Sequence, residues 1–284
     1  MTRTRFRVEI GLDLGATLTK AVVVRRGAPL ADAETFLFPA GDTGAIDVFF
    51  GRFRSPFVAA TGAGARLFAA RRAGEASVDL PDEFMAWGLG EECLLAGAPF
   101  VPSRPHLLVS LGTGTSILRV GNGATVARVG GTGLGGGTFR GLGRLLLGES
   151  DHDVLSALAA EGDRRRVDLL VRDLYREGEI PLPGDLTAAN LGRISSLDPG
   201  DIAHAVVGLI GENVALLAGA LARQGGTSPP LDVVYAGSTL RGNPALREVL
   251  DSVTALSGAA ARFLPRGEFV GAVGAVASAR RSRT

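Results

Sequence analysis

The chain has 284 residues, enough for two lobes on separate cores as readily as for one large fold. With 46% hydrophobic and 21% charged residues it can pack a core, and 30 Lys+Arg against 29 Asp+Glu leave a net charge of +1, too little to draw it onto nucleic acid or an anionic membrane. Cys93 is the only cysteine, which excludes an intramolecular disulfide, a Cys-rich zinc site and a C-x-x-C pair, and fits a reducing cytoplasm.

The opening MTRTRFRVEIGLDLG reads as strand-like and acidic after its basic residues, not as the apolar core of a signal peptide. Phe6 to Leu12 predicts a strand that turns through Asp13-Leu14-Gly15-Ala16-Thr17. Leu18 to Arg25 resumes the β-branched pattern, completing a β-hairpin with a small-residue tip. Thr35 to Phe38 and Phe57 to Thr61 read as further strands, Thr43 to Arg54 and Gly64 to Arg72 as helices. Pro81, Asp82 and Glu83 start a helix whose buried side is Phe84, Trp87, Leu89 and Leu94. A first lobe is expected over residues 1–105 and a second over 106–284.

The second lobe opens with two strands on either side of Gly112-Thr113-Gly114-Thr115 and a hairpin turn at Gly121-Asn122-Gly123, repeating the order of the chain's opening. A glycine-dense run, Gly130 to Gly137, precedes helical patterns over Thr138 to Leu147, Asp153 to Ala160 and Val167 to Tyr175, then a loop from Ile180 to Asp185. The long helix Asp201 to Arg223 carries Glu212 and Asn213 at its middle, which argues against a membrane span. Its apolar face of Ala205, Val206, Leu209, Val214 and Leu217 exceeds what one lobe needs and predicts a two-fold dimer. Strand Asp232 to Ala236 ends at Gly237-Ser238, and helices follow over Pro244 to Leu256 and Phe269 to Arg280. Alternating elements of this kind predict an α/β fold.

Tips built of Gly, Thr and Ser let backbone N–H groups converge on one spot with no Cβ in the way, and such nests bind phosphate oxygens. Each is also the ordinary composition of a hairpin turn, so their number and order carry the argument. Asp13 at the first tip supplies the hard oxygen that Mg²⁺ prefers, through water, and Lys20 a point charge in the same hairpin. Lys20 is the only lysine among 30 basic residues. A Walker A loop is excluded, because that lysine follows Thr19 where the motif requires glycine. Gly131-x-Gly133-x-x-Gly136, with Asp151 beyond, matches the dinucleotide fingerprint but follows a hairpin strand, not the first strand of a βαβ unit. Glu83 is open to two readings: a proton acceptor for a substrate hydroxyl, or a first-turn glutamate that complements the helix dipole.

The order of two hairpin phosphate loops and a late strand-Gly-Ser resembles the two-lobed actin-like ATPase (ribonuclease H-like) and sugar kinase superfamily, with a nucleotide cleft between lobes. The segments GLDLGATLTKA, SLGTGTSI, ARVGGTGLGGGTFRGLGRLL, PLPGDLTAANLGR, VVYAGSTLRGN and GEFVGAVGA resemble one branch of it, the type II pantothenate kinases. That resemblance implies an ATP- and Mg²⁺-dependent phosphotransferase acting on the primary hydroxyl of pantothenate, the first step towards coenzyme A, as a cytoplasmic homodimer without nucleic-acid or membrane partners. It implies Glu83 as general base, with Lys20 and Asp13 beside the phosphates. The nucleotide would lie against Gly15, Ala16, Thr17, Leu18, Thr19, Lys20, Ala21, Val22, Thr113, Gly136, Gly137, Thr138, Phe139, Arg140 and Ser238, with His152 beside the adenine. Ser116 and Arg128 would contact pantothenate.

The chain departs from the family pattern at Ala16, which replaces a glycine; at Ile117-Leu118-Arg119-Val120, which replaces a His-Tyr pair; and at Met85, where aspartate is common. Alternative readings are a kinase of pantetheine or an amino sugar, and a catalytically silent regulator that binds acyl-CoA or nucleotide.

Overall fold

A computed structural model describes residues 8–53, 56–73, 77–122, 125–224 and 228–283. Phe6 and Arg54, expected in the first strand and first helix, and Gly123, expected in a hairpin turn, lie outside the described residues. β1 (Val8–Leu14) and β2 (Leu18–Arg25) form the opening hairpin, with Asp13 opposite Lys20. β3 (Glu34–Pro39) adds antiparallel to β2, while β4 (Phe57–Thr61) lies parallel to β1 and β5 (Val78–Asp79) parallel to β4. The crossovers contain α1 (Thr43–Phe50) and α2 (Ala65–Arg71), and α3 (Glu83–Leu95) leads out of the sheet.

The second half repeats this plan. β6 (His106–Leu111), β7 (Thr115–Val120) and β8 (Val126–Thr132) form an antiparallel meander, and β11 (Val233–Ala236) and β12 (Ala261–Phe263) extend the other side in parallel. The orders β3-β2-β1-β4-β5 and β8-β7-β6-β11-β12 therefore correspond strand for strand. Between β8 and β11 lie α4 (Gly136–Leu147), α5 (His152–Glu161), the ribbon β9 (Leu169–Leu170) with β10 (Thr187–Ala189), and α6 (Pro199–Arg223). α7 (Pro244–Ala255) and α8 (Val270–Arg281) complete the chain.

Alternation along each strand decides what faces what. In β1, Val8, Ile10, Leu12 and Leu14 pack with Phe49, Phe50 and Phe68 of α1 and α2. The intervening residues turn to α8: Glu9 accepts from Arg280 at 2.9 Å, and Gly11 lies against the backbone of Ala272. In β6, Leu107, Val109 and Leu111 join the core under α4 to α7, whereas Leu108 joins α3 and α8. Two helices thus sit between the sheets, and they meet almost backbone to backbone. A Cβ on Gly274 would fall 1.6 Å from the Ala86 oxygen, and one on Gly90 1.9 Å from the Val270 oxygen. Where α3 meets β6, Glu91 and His106 are wholly buried with Oε1 and Nε2 2.7 Å apart, and His106 Nδ1 donates to the Ser103 carbonyl at 3.0 Å.

Two expectations are overturned. Val167 to Tyr175 is not one helix despite its periodicity: only the 3-10 turn Val171–Asp173 forms within it, because groups a longer helix would use are engaged elsewhere. The Arg166 oxygen accepts from Ser195 and the Val167 oxygen from Arg193, while the Leu170 N–H donates to the Asp173 side chain and the Val171 N–H to Leu186. Leu169–Leu170 pairs with Thr187–Ala189 instead. Most of the apolar face of α6 packs inside its own lobe: Ala205, Val206 and Val214 are buried and Leu217 packs against the same core, while Leu209 is half-buried. By length and composition α6 is apolar enough to cross a membrane, contrary to the sequence expectation, but 67% of its apolar window is buried.

Candidate active site

The two glycine tips close on themselves and then on each other. Gly15 N–H donates to the Leu18 carbonyl at 3.1 Å, and Gly112 N–H to the Gly114 carbonyl at 2.9 Å. The first turn of α4 rests on the second tip, with Gly136 N–H donating to Gly112 and Gly137 N–H to Thr113, each at 2.8 Å. Across the gap, the hydroxyls of Thr17 and Thr113 share a hydrogen bond of 2.9 Å. A cavity opens on either side of that contact.

The larger, about 530 Å³, is lined by Ala16, Thr17, Leu18, Thr113, Gly136, Arg140, His152 and Ser238 from the expected set. The His152 ring is held by a 2.8 Å hydrogen bond to the Arg241 carbonyl and stands edge-on to Phe139, with centroids 5.8 Å apart. Asp151, Asp153, Thr239 and Arg241 also line this wall, Arg241 donating to Asp153 at 2.9 Å.

The smaller cavity, about 340 Å³, gathers Asp13, Gly15, Lys20, Glu83, Ser116 and Arg128, and adds Trp87 and Glu268. Asp13 faces it because β1 alternates, and Lys20 because it sits opposite in the register. Lys20 Nζ donates to Asp13 Oδ2 at 3.2 Å, and both side chains are about nine-tenths buried. Asp82 caps α3 by accepting the Met85 N–H at 3.0 Å, so Glu83 stands in the first turn, turned to the cavity. Burial, foremost, and then the Asp13 carboxylate push the Glu83 carboxyl above its usual range, with Lys20 pulling the other way. A carboxylate of raised basicity beside a buried cation and a second carboxylate is suited to taking a proton from a hydroxyl next to a charged leaving group.

Several expected residues fall outside both cavities. Ala21 and Val22 are strand residues buried on opposite faces of β2, in the α1/α2 core and the α3/α8 core respectively. Thr19 faces the far side of the hairpin, into a separate hollow with Leu14 and Phe68. Phe139 is buried behind His152, and Thr138 Oγ1 is engaged by the Gly133 carbonyl at 3.1 Å. These support the tip from behind, as Gly137 does. Trp87, Glu268 and the Asp153–Arg241 pair were not singled out for the site from sequence. Only Trp87 had a signal, its spacing of one helical turn from Glu83.

The Fumble family model matches residues 97–278. A type II pantothenate kinase of Staphylococcus haemolyticus (strain JCSC1435) is 34% identical over 276 residues, spanning 95% of this chain and 99% of that one. One of Staphylococcus aureus (strain USA300) is 40% identical over 176 residues, 60% of this chain and 64% of that one. Among solved structures, component A of the Acidaminococcus fermentans (R)-2-hydroxyglutaryl-CoA dehydratase superposes with a TM-score of 0.63 over 98% of this chain and 100% of that one. At 16% identity this likeness establishes the two-lobed actin-like ATPase fold alone.

Proposed function

Because the chain belongs to the type II pantothenate kinase family, we infer that it transfers the γ-phosphoryl group of ATP to the primary hydroxyl of pantothenate, the first step towards coenzyme A. The observation that carries this reading is the meeting of Asp13, Lys20 and Glu83 in one cavity that adjoins the two glycine tips. A binding protein without turnover has no use for a buried cation and a carboxylate of raised basicity side by side.

In this reading the triphosphate runs beneath the tips at Gly15 to Leu18 and Gly112 to Thr113, and the adenosine occupies the larger cavity against His152, Arg140, Gly136 and Ser238. Glu83 takes the hydroxyl proton while the acceptor oxygen bonds to the γ-phosphorus and the bond to the bridging oxygen breaks, leaving ADP. The Lys20 ammonium offsets the charge on the transferring oxygens. Arg128, a permanent cation, and Ser116 hold the acceptor, the guanidinium facing its carboxylate. Among the described residues no group of three or more His, Cys, Asp or Glu is gathered to cage a metal. Mg²⁺ keeps water and phosphate ligands and asks of the protein one hard oxygen. Asp13 would supply it through water, and the ion would neutralise phosphate charge.

The site stands between two lobes that we divide near Pro105, with α8 returning to pack on β1 and β4. We further read the enzyme as a cytoplasmic homodimer. Light scattering at micromolar concentration should return twice the chain mass, and a monomer refutes it. An ATP-consumption assay across pantothenate, pantetheine and N-acetylglucosamine tests the function. Turnover with pantothenate is expected, and turnover with another acceptor alone, or none, overturns the reading.

A further inference from the structure

Trp87 follows Glu83 by one turn of α3 and lines the smaller cavity beside Asp13 and Lys20. Its ring is fixed edge-on to Phe84, with centroids 5.8 Å apart at 72°. The indole N–H is shut off from solvent and has no hydrogen-bond partner among the described residues. A buried donor is costly to leave unmade, so an orphan at the edge of a reaction site asks for an acceptor. The neighbouring one is Asp13. The point that a Cβ on Gly271 would occupy lies 3.0 Å from Trp87 Nε1 and 2.9 Å from Asp13 Oδ2, so donor and carboxylate face one small gap that only glycine leaves open.

Asp13 Oδ2 is also the atom that holds Lys20. If Lys20 turns to the phosphoryl group, as the proposed function requires, Asp13 Oδ2 gives up the side-chain donor it now has, and Mg²⁺ would reach the carboxylate only through water. We propose that Trp87 is a positioning residue. Its indole N–H takes Asp13 Oδ2 as acceptor when nucleotide draws Lys20 away, keeping the Asp13 carboxylate aimed. The inference rests on the assignment of Lys20 to the phosphates.

Trp87 is the only tryptophan of the chain, so its indole N–H gives a single resonance in the ¹⁵N-labelled full-length protein. Adding Mg²⁺ with a non-hydrolysable ATP analogue and no acceptor should move that resonance downfield, as a new charge-assisted hydrogen bond does, and Asp13→Ala, which removes the acceptor, should abolish the shift at saturating nucleotide. Trp87→Phe, which keeps an aromatic ring and removes the donor, should lower kcat about ten- to hundredfold, the loss of one hydrogen bond to a charged group, with the acceptor KM unchanged. An unmoved indole resonance in nucleotide-saturated protein, a shift that persists in nucleotide-saturated Asp13→Ala, or a kcat within twofold in Trp87→Phe overturns the proposal. The resonance needs no acceptor, so failure to phosphorylate pantothenate would strike the function assignment and leave this one standing.

Discussion

Glu91 and His106, both with no exposed surface, offer a quantitative test of how the lobes are joined. The Ser103 carbonyl can only accept, so His106 Nδ1 must carry a proton, and the 2.7 Å contact between Nε2 and Glu91 Oε1 is bridged by one more. Glu91→Ala leaves Nε2 facing a void in the interior, and deleting one member of such a pair costs about 3–5 kcal/mol. Glu91→Gln behaves differently, because its amide N–H can donate to the unprotonated Nε2 of a neutral ring while Nδ1 still reaches Ser103. Both hydrogen bonds survive, and the cost is at most about 1 kcal/mol. At about 2–4 °C per kcal/mol for a domain approaching this size, thermal unfolding at neutral pH should fall by roughly 6–20 °C for Ala and by less than about 4 °C for Gln. His106→Ala should be at least as damaging as Glu91→Ala, since Glu91 Oε2 already has no partner among the described residues. Glu91→Met with His106→Leu should recover much of the loss. Equal losses for Gln and Ala, or an Ala variant within about 1 kcal/mol of the parent, would refute the shared-proton account.

Glu83→Gln should lower turnover by about 10² or more with nucleotide binding retained, and a rate within a few-fold removes Glu83 from the mechanism. Burial raises the Glu83 carboxyl above its unfolded value, so the folded state binds that proton more tightly and the resulting stability is lost as pH rises through the folded value. The Gln variant should therefore melt no lower than the parent at neutral pH, with any advantage vanishing in acid. Lys20→Arg should lose kcat/KM nearly as heavily as Lys20→Met, both by more than about 2 kcal/mol, because a planar guanidinium does not fit where a compact ammonium sits 3.2 Å from Asp13. An Arg variant near the parent sinks the claim. Gly274→Ala should cost about 3 kcal/mol or more in denaturant titration, whereas Gly141→Ala, with open space at its Cβ position in the same kind of helix interior, should gain about 0.5–1 kcal/mol.

Local pattern was a good guide wherever the chain answers to its neighbours in sequence. The first hairpin, β4, the capped start of α3, and α7 and α8 lie within a few residues of where alternation, Asp82, Pro244 and small-residue spacing put them. What escaped was decided by distant partners. The periodicity of Val167 to Tyr175 is real, but Ser195 and Arg193 claim its carbonyls from almost thirty residues away. Buried Asp168, whose carboxyl is pushed up chiefly by its burial, accepts from Leu191 at 2.8 Å and helps pin the same segment. The side chains of Asp13 and Lys20 could be foreseen in one hairpin, since a two-strand register is short-range. That Trp87 stands at Asp13 could not, because the meeting depends on α8 passing close enough for Gly271 to separate them.

The near-contact of α3 and α8 has a mechanical consequence. Side chains interposed between helices can deform and let them slide, but at Gly90 and Gly274 backbone lies on backbone, and the crossing can rotate far more easily than it can shear. Relative motion of the lobes is then expected to pivot there. Groups close to such a fulcrum, Asp13 and Glu83 among them, keep their spacing throughout the swing, while the Thr17–Thr113 contact, which joins one tip to the other, can part. Spin labels at exposed Val48 and Leu145, one on each lobe, should change separation on nucleotide binding, and an unchanged distance would speak for a rigid frame. Opening the gate between the tips need not disturb the alignment of the groups that move the proton.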